Sequence, residues 1–225
     1  MRAMSQSLSP EHEGVITMED ALTRATYKLA DTDLQWMVLS KERLPQNFTH
    51  FEVVREGDLS NEAMADLPLS GHTADELRSL GRVTGYQREW VTTVDEPLLK
   101  DDADLAVATV VHLMDSPQAV STWMTKVFLE EFKAKVGENL GTEHQLVSVE
   151  QVELEGKFHD EAVGVRAIQK GPKGFVSSSV LDFRLGRLLG VVYVVTFGDQ
   201  NRLEIAETLG KKLERHMVAV AVGAA

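Results

Sequence analysis

The sequence predicts an α+β domain built on a single antiparallel sheet of about six or seven strands flanked by helices, an α/β/α sandwich-like arrangement. Three observations carry this. Segments 105–114 and 188–197 are apolar on both faces, the pattern of strands inside a sheet. Lys170-Gly171-Pro172-Lys173-Gly174 and Gly186-Arg187 make tight turns between the last strand segments, and strands joined that closely must run antiparallel. Two amphipathic helices carry apolar stripes that need a sheet to cover.

The elements follow in order. Residues 1–14, with Ser5, Ser7, Ser9 and Pro10, read as a flexible leader; 15–225 form the domain, with 15–33 as an N-terminal helical extension. Met18, Leu22, Ala25 and Leu29 space a short helix behind Thr17 as N-cap. Segment 48–54 alternates as a first strand. Ser60 or Asn61 caps a helical turn at 60–67, and Thr73-Ala74-Asp75-Glu76 is a capping box whose helix stops at Gly81. Segment 83–92 is a strand, and the acidic stretch 95–104 is a hairpin loop to 105–114.

Ser116-Pro117 opens the strongest helix, 117–136, striped by Val120, Trp123, Met124, Val127 and Phe128 and closed by Gly137. Strands follow at 145–154, 162–168, 175–185 and 188–197. Asp199 is the expected cap of a last helix with Leu203, Ala206, Leu209, Leu213 and Met217 turned inward. The order reads as one meander with a helix inserted midway.

Composition narrows the function. The 225 residues carry 35 acidic against 23 basic side chains, net charge −12. Nucleic acids and anionic membranes require a cationic face, so no nucleic-acid partner is expected. The absence of cysteine removes thiol nucleophiles, disulfides, thiolate zinc sites and iron–sulfur clusters. No apolar run approaches the ~20 residues that span a bilayer. The expectation is a soluble chain without a transmembrane segment, cytoplasmic as it stands and exported if a leader preceded residue 1.

Motifs of chemistry are missing. There is no phosphate-binding glycine loop and no G-x-S-x-G elbow. Ser177-Ser178-Ser179 falls in mid-strand and reads as small polar residues on a half-exposed strand. The seven histidines form no metal-binding pair at helical spacing; His159-Asp160-Glu161 reads as turn chemistry, and the 95–104 acids do not fit a calcium loop. Neither metal nor cofactor is expected. His112, inside the most apolar strand, reads as a hydrogen-bonded core histidine. Asn47-Phe48-Thr49 is a chance glycosylation triplet.

One constellation stands out. Tyr86, Arg88 and Trp90 alternate onto one strand face, where two aromatics flanking a guanidinium can stack on and hydrogen-bond a ligand, with Arg166 joining from another strand. The competing account is an arginine lying over an aromatic core edge.

Several stretches resemble a known type of domain: Leu44-Pro45-Gln46-Asn47-Phe48, Glu56-Gly57, Leu59-Ser60-Asn61-Glu62, Gly81-Arg82-Val83-Thr84-Gly85-Tyr86 and Asp160-Glu161-Ala162-Val163. Over residues 36–215 the chain resembles uncharacterised bacterial envelope or lipoprotein-type domains with a PsbP-like α/β/α sandwich. The resemblance implies a sheet with helices on both sides and a binding or accessory role, and it brings no catalytic residues. Members often begin with an export or lipoprotein leader, which these residues do not show.

The leading expectation is therefore a non-catalytic module that binds a small molecule or a protein. The alternatives are an enzyme whose site gathers Arg88, Glu89, His112 and Arg166, or a structural homo-oligomer suggested by the apolar tail.

Overall fold

The computed structural model describes residues 18–67, 71–94, 102–139 and 143–224. The expected leader, the Thr17 cap and residues 95–101 of the acidic loop lie outside the described residues. The strands are β1 (Phe51–Asp58), β2 (Arg82–Thr92), β3 (Asp104–Met114), β4 (Gln145–Val152), β5 (Ala162–Gly171), β6 (Gly174–Leu185) and β7 (Leu188–Phe197). They form one antiparallel sheet in the order β1-β2-β3-β7-β6-β5-β4.

The two strands read as interior, β3 and β7, lie side by side in its middle. The single meander is corrected. The chain makes two meanders, β1–β3 and β4–β7, and a helical crossover carries it from the centre of the sheet to the far edge. The free side of β3 is filled by β7 because both strands are apolar on both faces, and only a central pair buries all that surface.

Helices lie on both sides. On one face, α6 (Leu203–Ala221) packs Leu203, Ala206, Leu209, Leu213 and Met217 against Leu181, Phe183, Val192 and Val194. The segment 31–48 crosses the same face with Leu34, Met37, Leu39 and Phe48 buried, beside α1 (Met18–Thr26). On the other face, α4 (Pro117–Thr122) continues as a π-helix, Trp123–Glu131, and ends in α5 (Phe132–Ala134). Its Val120, Trp123 and Met124 meet Met114, Val163, Leu189 and Leu77 of α3 (Ala74–Ser79), which follows α2 (Asn61–Ala65).

The local signals explain most boundaries. Ser116 Oγ accepts from Ala119 N at 3.2 Å, Thr73 and Glu76 close the capping box, and Ser60 caps α2. Gly81 takes φ +85°, a conformation that ends α3 without the strain a side chain would bring.

Three expectations change. The first strand starts at Phe51, because Pro45 opens a 3-10 turn at Gln46–Phe48. Asp199 does not cap α6; the helix begins at Leu203, whose N–H donates to Asn201 Oδ1 at 2.9 Å, and Asp199 pairs with Arg166 instead. Ser177 and Ser179 are buried rather than half-exposed, since their hydroxyls accept from Gln200 N (3.1 Å) and Arg202 N (2.8 Å) and anchor the turn before α6.

Candidate functional site

Alternation along β2 does place Tyr86, Arg88 and Trp90 on one face, but it is the face that α6 and the 31–48 segment cover. Trp90 is fully buried in the main core, so it cannot belong to a recognition surface. Arg88 donates to Leu39 O at 2.7 Å and to Glu56 at 2.5 Å, and Tyr86 OH reaches Glu56 at 3.4 Å. The Arg88 hydrogen bond holds the Glu56 carboxyl below its ordinary value, with burial partly opposing it. This guanidinium ties the N-terminal segment to the sheet.

Arg166 does not join them. It sits on β5, four strands from β2, and pairs with Glu150 at 3.5 Å and with Asp199. At about 4.8 Å per strand, that separates it from Arg88 by roughly 19 Å. Nor do the four residues of the enzymatic alternative converge. Arg88 and Glu89 point to opposite faces, and His112 lies buried near Trp123, with ring centroids 6.1 Å apart.

The reverse face of β2 carries a different row. Register aligns Arg55, Glu89, Ala108 and Tyr193 across β1, β2, β3 and β7. Ala108 is small enough for the Tyr193 side chain to lie across β3 toward Glu89, spanning two strand spacings that larger residues would block. Burial first, and the Glu89 carboxylate second, raise the Tyr193 phenol well above its ordinary value. Glu89 is 17% exposed and stands 3.7 Å from Arg55, which is 49% exposed. In the next row Val91 and Val195 are half-buried on either side of buried Ala106, so an apolar strip lies beside the polar groups.

This row was missed in the sequence because its members come from strands far apart in the chain. Tyr193 within an apolar strand was the available signal.

Two hollows lie elsewhere, of about 280 Å³ inside the β4–β5 loop and about 400 Å³ between that loop and α6. The larger is edged by Glu153, Glu155, Glu204, Glu207 and Lys211. Glu207 already accepts from the N–H groups of Glu155 (3.2 Å) and Gly156 (2.8 Å), which holds the loop to the helix. Glu153, Glu155 and Glu204 are solvated surface charges. Among the described residues, no three His, Asp or Glu side chains gather as a metal shell, and no helix is long and apolar enough to cross a membrane.

The geometry defines an antiparallel sheet clad by helices on both faces, with the larger buried cluster on the α6 side. No family model and no curated protein matches the chain. Its fold is similar to the crystal structure of the extracellular domain of PknH from Mycobacterium tuberculosis. The TM-score is 0.55 at 11% identity, over 83% of this chain and 97% of that one. At that identity the likeness is one of fold.

Proposed function

We propose that this chain is a non-catalytic, envelope-type binding domain that takes a small ligand or a protein segment on the sheet face carrying Arg55, Glu89 and Tyr193. The supporting observation is the row itself: a carboxylate, a phenol and a guanidinium aligned across four strands beside an apolar strip that α6 does not cover. Few polar groups fixed on a largely apolar surface are what orient a bound molecule. A partner suited to it lays an apolar body on Val91, Ala106 and Val195 and offers a hydrogen-bond donor or ammonium group to Glu89.

The fold likeness to an extracellular domain of a kinase favours an accessory role outside the cytoplasm, and helices on both faces of the sheet agree with a PsbP-like sandwich. A net charge of −12 disfavours nucleic acid.

The test is a thermal-shift screen of amines, amphiphiles and short peptides, followed by titration of each hit against parent, Glu89→Gln and Tyr193→Phe. Specific binding raises the melting temperature by mass action. Loss of a real charged contact weakens affinity about tenfold. Hits that bind both variants as well as the parent place the site elsewhere.

A further inference from the structure

Beneath the 117–134 helix the fold holds two ionisable side chains out of water and, among the described residues, without an opposite charge. Asp182 on β6 is 2% exposed and pairs in register with Val163 and Val191. Those valines lie in or against the cluster formed by Val120, Trp123 and Met124, so Asp182 points under the helix. Its Oδ1 has no hydrogen-bond partner among the described residues. His112 on β3 is 5% exposed, near Trp123, and its Nδ1 accepts from Arg82 Nε at 3.1 Å. A ring nitrogen that accepts from a guanidinium carries no proton, so Nε2 carries it and the ring is neutral.

The other charged groups around this layer have partners other than Asp182 among the described residues or are exposed. Arg82 is bonded to His112, Asn61 and Leu59. Arg184 is bonded to Asp160 and Glu161, Glu161 also accepts from Ser121 Oγ of the cover, and Asp115 accepts from Ser116 Oγ. On the helix, Lys126, Glu130 and Lys133 are exposed, and Glu131 turns to His72 at 2.8 Å. The cover itself departs from ideal helix geometry, since nine of its residues are π-helical, and such segments recur where helices have functional work.

We infer that the 117–134 helix is an acid-latched cover, seated on the sheet in mildly acidic water and released as pH rises through neutrality, because Asp182 can ionise only when the helix lifts. The inference does not depend on the proposed ligand face.

The direction follows from linkage. Burial holds the seated Asp182 well above its ordinary 3.8. Burial and then Arg82 hold the seated His112 well below its ordinary 6.5. Lifting the helix rehydrates both side chains, so Asp182 returns toward its ordinary value and His112 rises toward its own, with Arg82 still beside it. Above the histidine value only Asp182 matters, and each pH unit favours the lifted state about tenfold until the seated carboxyl itself ionises. Below the aspartate value only His112 matters, and falling pH favours lifting. Between the two the slopes cancel, and the cover is held most firmly.

The experiment is amide hydrogen exchange on the whole chain from about pH 5 to pH 9, corrected for the intrinsic pH dependence of exchange. For wild type, the opening constant of amides 123–131 should be flat at the acid end and climb about tenfold per unit above the ordinary histidine value, while α6 stays closed. Asp182→Asn should abolish the climb. The inference is overturned by a climb of equal slope in Asp182→Asn, by a flat wild type, or by α6 opening together with the cover. If Asp182→Asn does not fold, ¹⁹F spectra of 5-fluorotryptophan wild type decide it. The Trp123 signal must move toward its solvent-exposed value with rising pH while the Trp90 signal stays; joint movement or none refutes the cover.

Discussion

Arg82 shows how a residue can look like a site and act as a bracket. It is 2% exposed, and its guanidinium donates to His112 Nδ1 (3.1 Å), Asn61 Oδ1 (2.7 Å) and Leu59 O (2.6 Å), all neutral acceptors. Burial lowers its pKa to about 10, which still leaves it charged at neutral pH. It joins β2, β3 and the turn before α2. Arg82→Met should cost about 3 kcal/mol or more, because three buried acceptors lose their donor at roughly 1–3 kcal/mol each, partly offset by relaxation. A urea midpoint shift checks this. His112 gives the matching acid response: held neutral in the fold, it stabilises fully above its ordinary 6.5, and that stability is lost as pH falls from there toward its depressed folded value. Asp182, held neutral in the fold, contributes the opposite slope over the same range, so parent stability should change little between about pH 6 and pH 4.5, whereas His112→Gln should gain up to ~1.4 kcal/mol per unit as pH falls. Equal slopes in the two proteins would remove His112 from the account. Neither role was legible beforehand beyond the core setting of His112, since Arg82 stood one residue outside the expected strand and its three partners are distant in sequence.

Elements were the most legible scale, and the reasons are local. Period-two alternation, glycine turns and side-chain caps are written within a few residues, so β3, β6, β7 and the start of α4 fell where expected. Alternation also grouped Tyr86, Arg88 and Trp90 correctly, but it cannot say which face a cover will take. That depends on segment 31–48, whose 3-10 turns have no strong period. The crossover was hidden for the same kind of reason, because strand order is set by long-range burial. Two substitutions test the packing of each face. Trp123→Ala should cost about 3–5 kcal/mol, the usual result of truncating a buried large aromatic. Its ring sits with Met114, Val120 and Leu189 at 6% exposure, and an unchanged denaturant midpoint would mean the helix face is misplaced. On the α6 face, a Cβ at Gly190 would lie 2.3 Å from the Phe183 ring, which is fully buried and stacked on Phe158 at 5.1 Å. Gly190→Ala relieves about 0.5–1 kcal/mol of glycine entropy but overpacks a rigid ring at a cost of about 1–3 kcal/mol or more, so net destabilisation is expected. A raised melting temperature would contradict it.

At the scale of the whole molecule the two faces of the sheet are unequal. The α6 face unites α1, the 31–48 segment, five strands and a nineteen-residue helix in one continuous cluster. The opposite face is split: a smaller cluster under α4 and its π-helical continuation, and a satellite where Phe132 meets Leu146, Ala167 and Val149. Buried apolar area governs how much free energy opposes local opening, so the smaller clusters should yield first. The sheet adds its own gradient. β3 and β7 are hydrogen-bonded on both sides in its middle, whereas β1 and β4 are edges with mostly exposed or half-buried residues. These two gradients predict an order of opening. In native-state hydrogen exchange at rising sub-denaturing urea and fixed mildly acidic pH, amides of 117–134, β1 and β4 should exchange through small openings of low urea dependence. Amides of β3, β7, β6 and α6 should exchange only with global unfolding, with the full urea slope. The fixed pH keeps Asp182 from driving the result. If 117–134 shares the slope of α6, the molecule unfolds as a single unit and the unequal faces have no energetic consequence.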